Sequence, residues 1–215
     1  MIRAYNQVLS TKAEREFYER NHKFEIWQKL FLSLSFFHAI VRERRRFGPL
    51  GWTILYDFND SDFRISMRQL YLMVENFERV PFPALKYLTG ECNYGGKVTD
   101  ERDRRALLCL LDDFYSNEAL TQEPYQFAGK QLKRYHIFSA EEGKDYLEYV
   151  KALPEEESPT LMGLHENANI TQAINEASAI FASVLKLTSG SQSEGGDAAS
   201  SEADLAMKMT NDILG

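Results

Sequence analysis

Residues 24–46 read FEIWQKLFLSLSFFHAIVRERRR, and the periodicity of this stretch decides the fold. Trp27, Leu30, Leu34, Phe37 and Val41 recur at steps of three and four, which sets them on one face of a helix. Leu32, Phe36 and Ile40 form a second stripe beside it. A helix apolar over more than half its circumference needs cover on more than one side, so it is predicted to be the spine of a helical domain. Its most apolar part is interrupted by Ser33, Ser35 and His38 and falls far short of the ~20 apolar residues a membrane span requires. Gly48-Pro49 then stops it.

Downstream, residues 50–58 read as a short extended hairpin or an irregular arm. Asn59, Asp60 and Ser61 supply N-capping side chains for a helix from about Asp62 to Phe77. Its Phe63, Met67, Leu70, Val74 and Phe77 make one buried stripe, with Arg64, Arg68, Gln69 and Glu75 outside. Pro83 suits the first turn of a helix reaching Leu88, after which Gly90 and the pair Gly95-Gly96 mark a tight loop. Thr99 caps a helix over residues 100–115, with Asp100 and Glu101 in its positive first turn and Leu107, Leu111 and Phe114 inside.

Residues 116–138 lack a clean period and read as a long loop that packs through Tyr125, Phe127 and Tyr135. Ser139 with Glu142 forms a capping box for a helix whose Tyr146, Val150 and Leu153 face inward until Pro154. The run Glu155-Glu156-Glu157 is a solvated linker. A second unit opens near Ser158 with a helix over residues 171–187, whose Ile174, Ala177, Phe181 and Val184 share a face with no visible partner. The Ser- and Gly-rich stretch near 188–203 is predicted to be disordered, and Leu205, Met209 and Ile213 suggest one more short helix.

The chain has 215 residues, 44% of them hydrophobic, and a net charge of −7. That balance argues against nucleic acid and against an anionic membrane surface as partners, because both require an excess of Lys and Arg. Two cysteines, Cys92 and Cys109, and no secretory leader point to a reducing, intracellular setting without a disulfide framework.

Residues 90–97, GECNYGGK, imitate a phosphate loop, but Gly96 occupies the lysine position, Val98 follows Lys97, and the preceding segment reads as helix rather than strand. The plainer reading is a structural turn that needs glycine torsions. Asp57, Asn59, Ser61 and Asp62 imitate the start of a calcium loop, yet Asp62 and Arg68 stand where Gly and Glu are required; a helix cap explains them. His22, His38, His136 and His165 have no ligand spacing, and neither thiol has a catalytic set around it. No catalytic, cofactor-binding or metal-binding residue is identified. Arg42, Arg44, Arg45 and Arg46 form the one basic cluster, either a solvated helix end favoured by the dipole or an inter-domain salt-bridge surface. Gly48, Pro49, Gly51 and Trp52 make a structural loop with Trp52 expected inside, and Gly90, Gly95 and Gly96 a second one.

Three ordered blocks then carry a family resemblance. Phe36-Phe37-His38-Ala39, Glu43-Arg44 and Phe47-Gly48-Pro49-Leu50-Gly51-Trp52 form the first, and Tyr56-Asp57-Phe58-Asn59-Asp60-Ser61-Asp62 the second. The third is Leu88-Thr89-Gly90-Glu91-Cys92-Asn93-Tyr94-Gly95-Gly96 with Val98-Thr99-Asp100 and Asp103-Arg104-Arg105. Together they resemble an axonemal dynein heavy chain just past its sixth AAA+ large subdomain. Ile2-Arg3-Ala4-Tyr5 is similar to the end of that subdomain, and residues 162–171 to the start of the C-terminal domain. Thr53, Leu55, Lys97 and Asn169 depart from the family pattern of Asn, Pro, Arg and Asp.

The resemblance implies a mainly α fold in three parts: residues 1–22 ending the sixth large subdomain, 23–157 a helical AAA+ lid, and 158–215 the first helices of the C-terminal domain. It implies an ATP-driven, minus-end-directed microtubule motor of cilium or flagellum, in the cytoplasm and cytoskeleton of the axoneme. This segment would be non-catalytic, holding no cofactor of its own, with ATP and magnesium bound in other modules. It would pack on neighbouring AAA+ modules, the first in particular, and reach the microtubule only through the parent chain. The competing readings are a free-standing helical adaptor that binds a protein through the Arg42 to Arg46 end, and an enzyme built on the glycine loop.

Overall fold

The computed structural model describes residues 23–128, 132–140, 143–154 and 158–190. Among them the secondary structure is helical, joined by one isolated antiparallel bridge between Tyr125 and Ile137. The chain divides into two compact units between Asn169 and Ile170.

The first unit is built around α1, Phe24–Glu43. Both predicted stripes are buried: Leu30, Leu32, Leu34, Phe36, Phe37 and Val41 are fully inaccessible. Four elements cover the helix: α2 (Asp60–Asn76), α4 (Glu101–Phe114), α5 (Asn117–Thr121) and a 3₁₀ turn at Pro159–Met162. A rod with two apolar stripes has to be wrapped in this way, since one flanking helix would leave the second stripe in water. At its end α1 tightens into a 3₁₀ segment, Arg44–Leu50, interrupted at Gly48, which takes a positive φ of 53°.

Residues 51–59 form neither hairpin nor helix. They are an arm that alternates its side chains, with Trp52, Tyr56 and Phe58 buried and Thr53, Ile54, Leu55 and Asp57 exposed. The following α2 is capped as its sequence requires. Asn59 Oδ1 accepts from the Ser61 and Asp62 amides at 3.1 and 3.3 Å. Asp62 in turn accepts from the Asn59 amide at 2.9 Å, a reciprocal capping box.

Past α3 (Phe82–Lys86) the chain does not turn at Gly90 as the glycines suggest. It runs into a π-helical segment, Tyr87–Asn93, whose wider turn is closed by the Tyr94 amide on the Thr89 carbonyl at 3.0 Å. The tight turn comes one step later, at Gly95–Lys97. The cap of α4 also differs from expectation. Asp100, not Thr99, accepts from the Arg102 and Asp103 amides, because Thr99 is exposed and the acid sits at the extended residue before the first turn.

The predicted loop over residues 116–138 holds the short helix α5, capped by Ser116. Its neck is double: the Tyr125–Ile137 bridge at 2.8 Å in both directions, and Glu123 receiving the Ser139 amide. Lys29, buried on α1, reaches Glu123 and the Leu120 carbonyl from the core side. Phe127 lies between Phe36 and Phe114, its ring tilted to each and both centroids at 4.8 Å. Helix α6, Gly143–Lys151, turns Tyr146 and Val150 inward. Glu142 lies outside the described residues, as does the run 155–157.

The predicted opening of a second unit near Ser158 does not coincide with the structural division. Leu161, Met162 and Ala168 belong to the core of the first unit, since their apolar side chains have buried partners there. The second unit contains most of α7, Ala168–Gly190, in which Ile174, Phe181 and Val184 are exposed. Thr188, Ser189 and Gly190 are helical, not part of a disordered stretch; residues 191–203 and the predicted final helix lie outside the described residues.

Candidate interaction site

The sequence-selected residues around the end of α1 fall into an inner and an outer set. Trp52 is the centre of the inner set, 1% exposed. Its indole Nε1–H donates to the Val41 carbonyl at 2.9 Å. Its ring meets Phe58 edge-on at 5.6 Å and Tyr56 at 6.0 Å. The path to the ring is short because Gly51 lets the backbone fold back onto α1: a Cβ there would lie 1.8 Å from the Arg44 carbonyl oxygen. Only glycine fits.

Arg44 stands apart from the solvated helix end read for Arg42, Arg44, Arg45 and Arg46. It is buried, with its guanidinium 4.8 Å from the centre of the Trp52 ring. Nε donates to the Gly51 carbonyl at 3.1 Å and Nη1 to the Met162 carbonyl. Burial lowers its pKa while the charge of Asp103 raises it. Asp103 is itself buried and accepts from the Thr53 and Ile54 amides at 3.1 and 3.3 Å. Acid and base therefore hold the arm from beneath, one by its amides and the other by a carbonyl. Sequence reasoning missed both roles: Met162 is 118 residues from Arg44 and Asp103 about fifty from Thr53 and Ile54, and helix position alone carries no sign of such contacts.

The outer set is Arg42, Arg45 and Arg46, each less than half exposed and each paired within the unit. Arg42 meets Asp60 at 3.2 Å, Arg45 meets Asp57 at 3.2 Å and Arg46 meets Glu43 at 3.4 Å. Exposed pairs of this kind are weak, about 0–1 kcal/mol each, but they neutralise the patch. Beside these pairs the arm and the residue before it turn apolar side chains outward: Leu50, Ile54 and Leu55 are 53%, 46% and 65% exposed.

Beneath α1 the His38 ring, 4% exposed, shares a 2.8 Å hydrogen bond between Nδ1 and the Tyr94 hydroxyl. Burial, reinforced by the neighbouring positive charge of Arg42, lowers its pKa to about 3. The imidazole is therefore neutral at ordinary pH. Its 3.9 Å approach to Asp60 is a dipolar contact and not an ion pair.

The second glycine loop is shaped by close approach, not by torsion. A Cβ on Gly95 would sit 2.1 Å from the Gly90 carbonyl oxygen, and one on Gly90 would press on Leu108 and Leu111 of α4. Gly96 faces open space. Lys97 donates to Asp62 at 2.6 Å and to the Asp57 carbonyl at 3.0 Å. Its ammonium is thus tied to the α2 cap. Among the described residues no group of three or more His, Cys, Asp or Glu is placed to hold a metal ion. No helix among them is long and apolar enough to cross a membrane.

Residues 27–168 match the family model described as the dynein heavy chain AAA lid domain. Curated relatives share 39–47% identity with the chain. Dynein axonemal heavy chain 12 of Homo sapiens is 44% identical over 190 residues, 87% of this chain and 6% of the relative. Dynein axonemal heavy chain 3 of Mus musculus is 47% identical over 198 residues, 92% and 5%. Dynein axonemal heavy chain 1 of Rattus norvegicus is 39% identical over 215 residues, 100% and 4%. The chain thus spans only 4–6% of the length of these relatives.

Proposed function

The chain belongs to the dynein heavy chain AAA lid domain family, and from that membership we propose that it is the lid of the sixth AAA+ module in an axonemal heavy chain. The parent would be an ATP-driven, minus-end-directed microtubule motor of cilium or flagellum. The observation that carries this reading is the family match over residues 27–168, which takes in the spine helix, the arm and the Pro159–Met162 turn together. The names of the relatives support the axonemal type.

In this reading the segment does no chemistry. ATP and magnesium are bound elsewhere in the parent chain, and the lid acts by packing on neighbouring modules, the first in particular. Gly96 stands where a phosphate loop would place its lysine, and the neighbouring Lys97 is bound to the Asp62 carboxylate and the Asp57 carbonyl. The exposed apolar side chains of the arm, with the neutralised arginines around them, suit docking onto a protein surface better than onto phosphates or lipid headgroups. Residues 170–190 would begin the C-terminal domain.

The test replaces the corresponding segment of an axonemal heavy chain with residues 23–190 of this chain and follows ATP-dependent microtubule gliding. Retained gliding supports the reading. A chimera that hydrolyses ATP normally in its other modules and never moves microtubules would sink it. Titration of the isolated chain with magnesium ATP in a calorimeter should give no heat of binding, and a micromolar dissociation constant would revive the enzyme reading.

A further inference from the structure

We propose that Arg44 is a coupling residue: by holding the Gly51 and Met162 carbonyls with one guanidinium, it makes the order of the arm, residues 51–59, depend on the turn Pro159–Met162, and the reverse.

A buried guanidinium has lost its hydration and needs every acceptor it can reach. Here the direct acceptors are two backbone carbonyls from segments far apart in sequence, with the Trp52 ring beneath the cation and the Asp103 charge nearby. If either carbonyl swings away, the cation is left short of a partner at a position with little access to solvent. Each segment is therefore more stable in place when the other is in place, which is the thermodynamic meaning of coupling, and it acts equally in both directions.

Both segments are built so that they can respond. The arm has no regular backbone ladder; Asp103 accepts two of its amides and Arg44 one of its carbonyls. The turn at Pro159–Met162 is a single 3₁₀ turn capped by Ser158 and ended by Gly163, whose φ of 69° is left-handed. Its Met162 carbonyl is the only group of the turn bonded to the guanidinium among the described residues. Loops of this kind open more readily than the packed helices around them. Ile54 and Leu55 lie on the outer face of the arm, with exposed Leu50 just before it, so anything that presses there acts on one end of the link. The use of this link inside a motor rests on the lid reading; the link itself does not.

The experiment is a coupling cycle on the full 215-residue chain, read by amide hydrogen exchange. Gly163→Ala strains the left-handed residue that follows Met162 and sets a methyl group 3.7 Å from Arg44 Nη1, so it acts at the turn's end of the link without touching the arm. With Arg44 present, exchange at the Thr53 and Ile54 amides should accelerate by about fivefold or more, the low end of ordinary coupling factors. Amides of Leu30 and Leu34 should keep their rates, which excludes global opening. In an Arg44→Lys background, where one ammonium replaces the fork, Gly163→Ala should no longer reach the arm. The proposal is overturned if Gly163→Ala leaves Thr53 and Ile54 unchanged with Arg44 present. It is equally overturned if the acceleration is the same with Lys in place of Arg44. Should the Arg44 variant fail to fold, Ser158→Ala, which removes the other end of the turn's support, decides in the native background: an unchanged arm refutes the link and a faster one upholds it.

Discussion

Trp52 Nε1 donates to the Val41 carbonyl across 2.9 Å, closing the chain back onto the helix that precedes it by eleven residues. The bond satisfies the only polar atom of a side chain that is otherwise surrounded by Tyr56, Phe58 and Arg44. Burying so large a ring stabilises strongly because its apolar area leaves water and its N–H finds a partner at the same time. Trp52→Ala should therefore lower the stability of the chain by about 3–5 kcal/mol, with Trp52→Phe losing less. Urea unfolding gives the number directly. A Trp52→Ala midpoint equal to that of the parent would show that the ring is not structural.

Gly51 and Gly96 should respond oppositely to the same change. Gly51→Ala drives a methyl group to 1.8 Å from a backbone oxygen that cannot rotate away, so the arm has to leave α1 and the melting temperature should fall steeply. Gly96→Ala meets nothing within 4 Å and should be neutral or slightly stabilising, because it removes chain entropy from the unfolded state. Equal melting temperatures for the two variants would contradict the close approach at Gly51.

His38 gives the fold a dependence on pH. Its pKa is about 3 when folded against 6.5 when free, so between those values the unfolded chain binds a proton that the folded chain refuses. Stability from this residue is fully present above about pH 6.5 and is lost as the pH falls toward 3, with a slope approaching ~1.4 kcal/mol per pH unit. Arg42 strengthens the effect, Asp60 opposes it, and Tyr94 holds the neutral ring. His38→Gln should flatten that part of the stability curve. Chemical denaturation at pH 7 and pH 5 measures it, and identical losses in parent and variant would exclude His38 as the cause.

Asp103→Ala strips the Thr53 and Ile54 amides of their acceptor and removes the negative charge that faces Arg44. A loss of about 1–3 kcal/mol follows for the unsatisfied groups. Asp103→Asn keeps one acceptor oxygen and should fall between the two. If Asn and Ala variants unfold at the parent's urea midpoint, the arm does not depend on this carboxylate.

The spine helix was readable because its two stripes express one simple rule, apolar residues at helical spacing, and the core obeys it residue by residue. The Asn59 cap was readable for a similar reason, since cap and acid lie within one turn. The cap at Asp100 slipped by one residue because Thr99 and Asp100 are both competent, and only the local backbone chooses between them. The π-helical stretch was hidden: glycine at position 90 signals a turn in most contexts, and here it is demanded by Leu108 and Leu111 across a helix contact. Arg44 was least legible of all. Three neighbouring arginines are surface residues, and nothing local distinguishes the fourth from them; its burial depends on a turn more than a hundred residues away.

The doubled neck at Tyr125–Ile137 and Glu123–Ser139 fixes both ends of the segment it closes before that segment contributes any packing of its own. Because both sides of the neck are held, lengthening a segment closed in this way burdens only the closure of a loop, and doubling such a loop adds only about 0.6 kcal/mol of entropy. A peptide tag or a fluorescent reporter carried by such a segment would travel with the lid. That would give a handle for following the lid without touching either the arm or the helices that carry it.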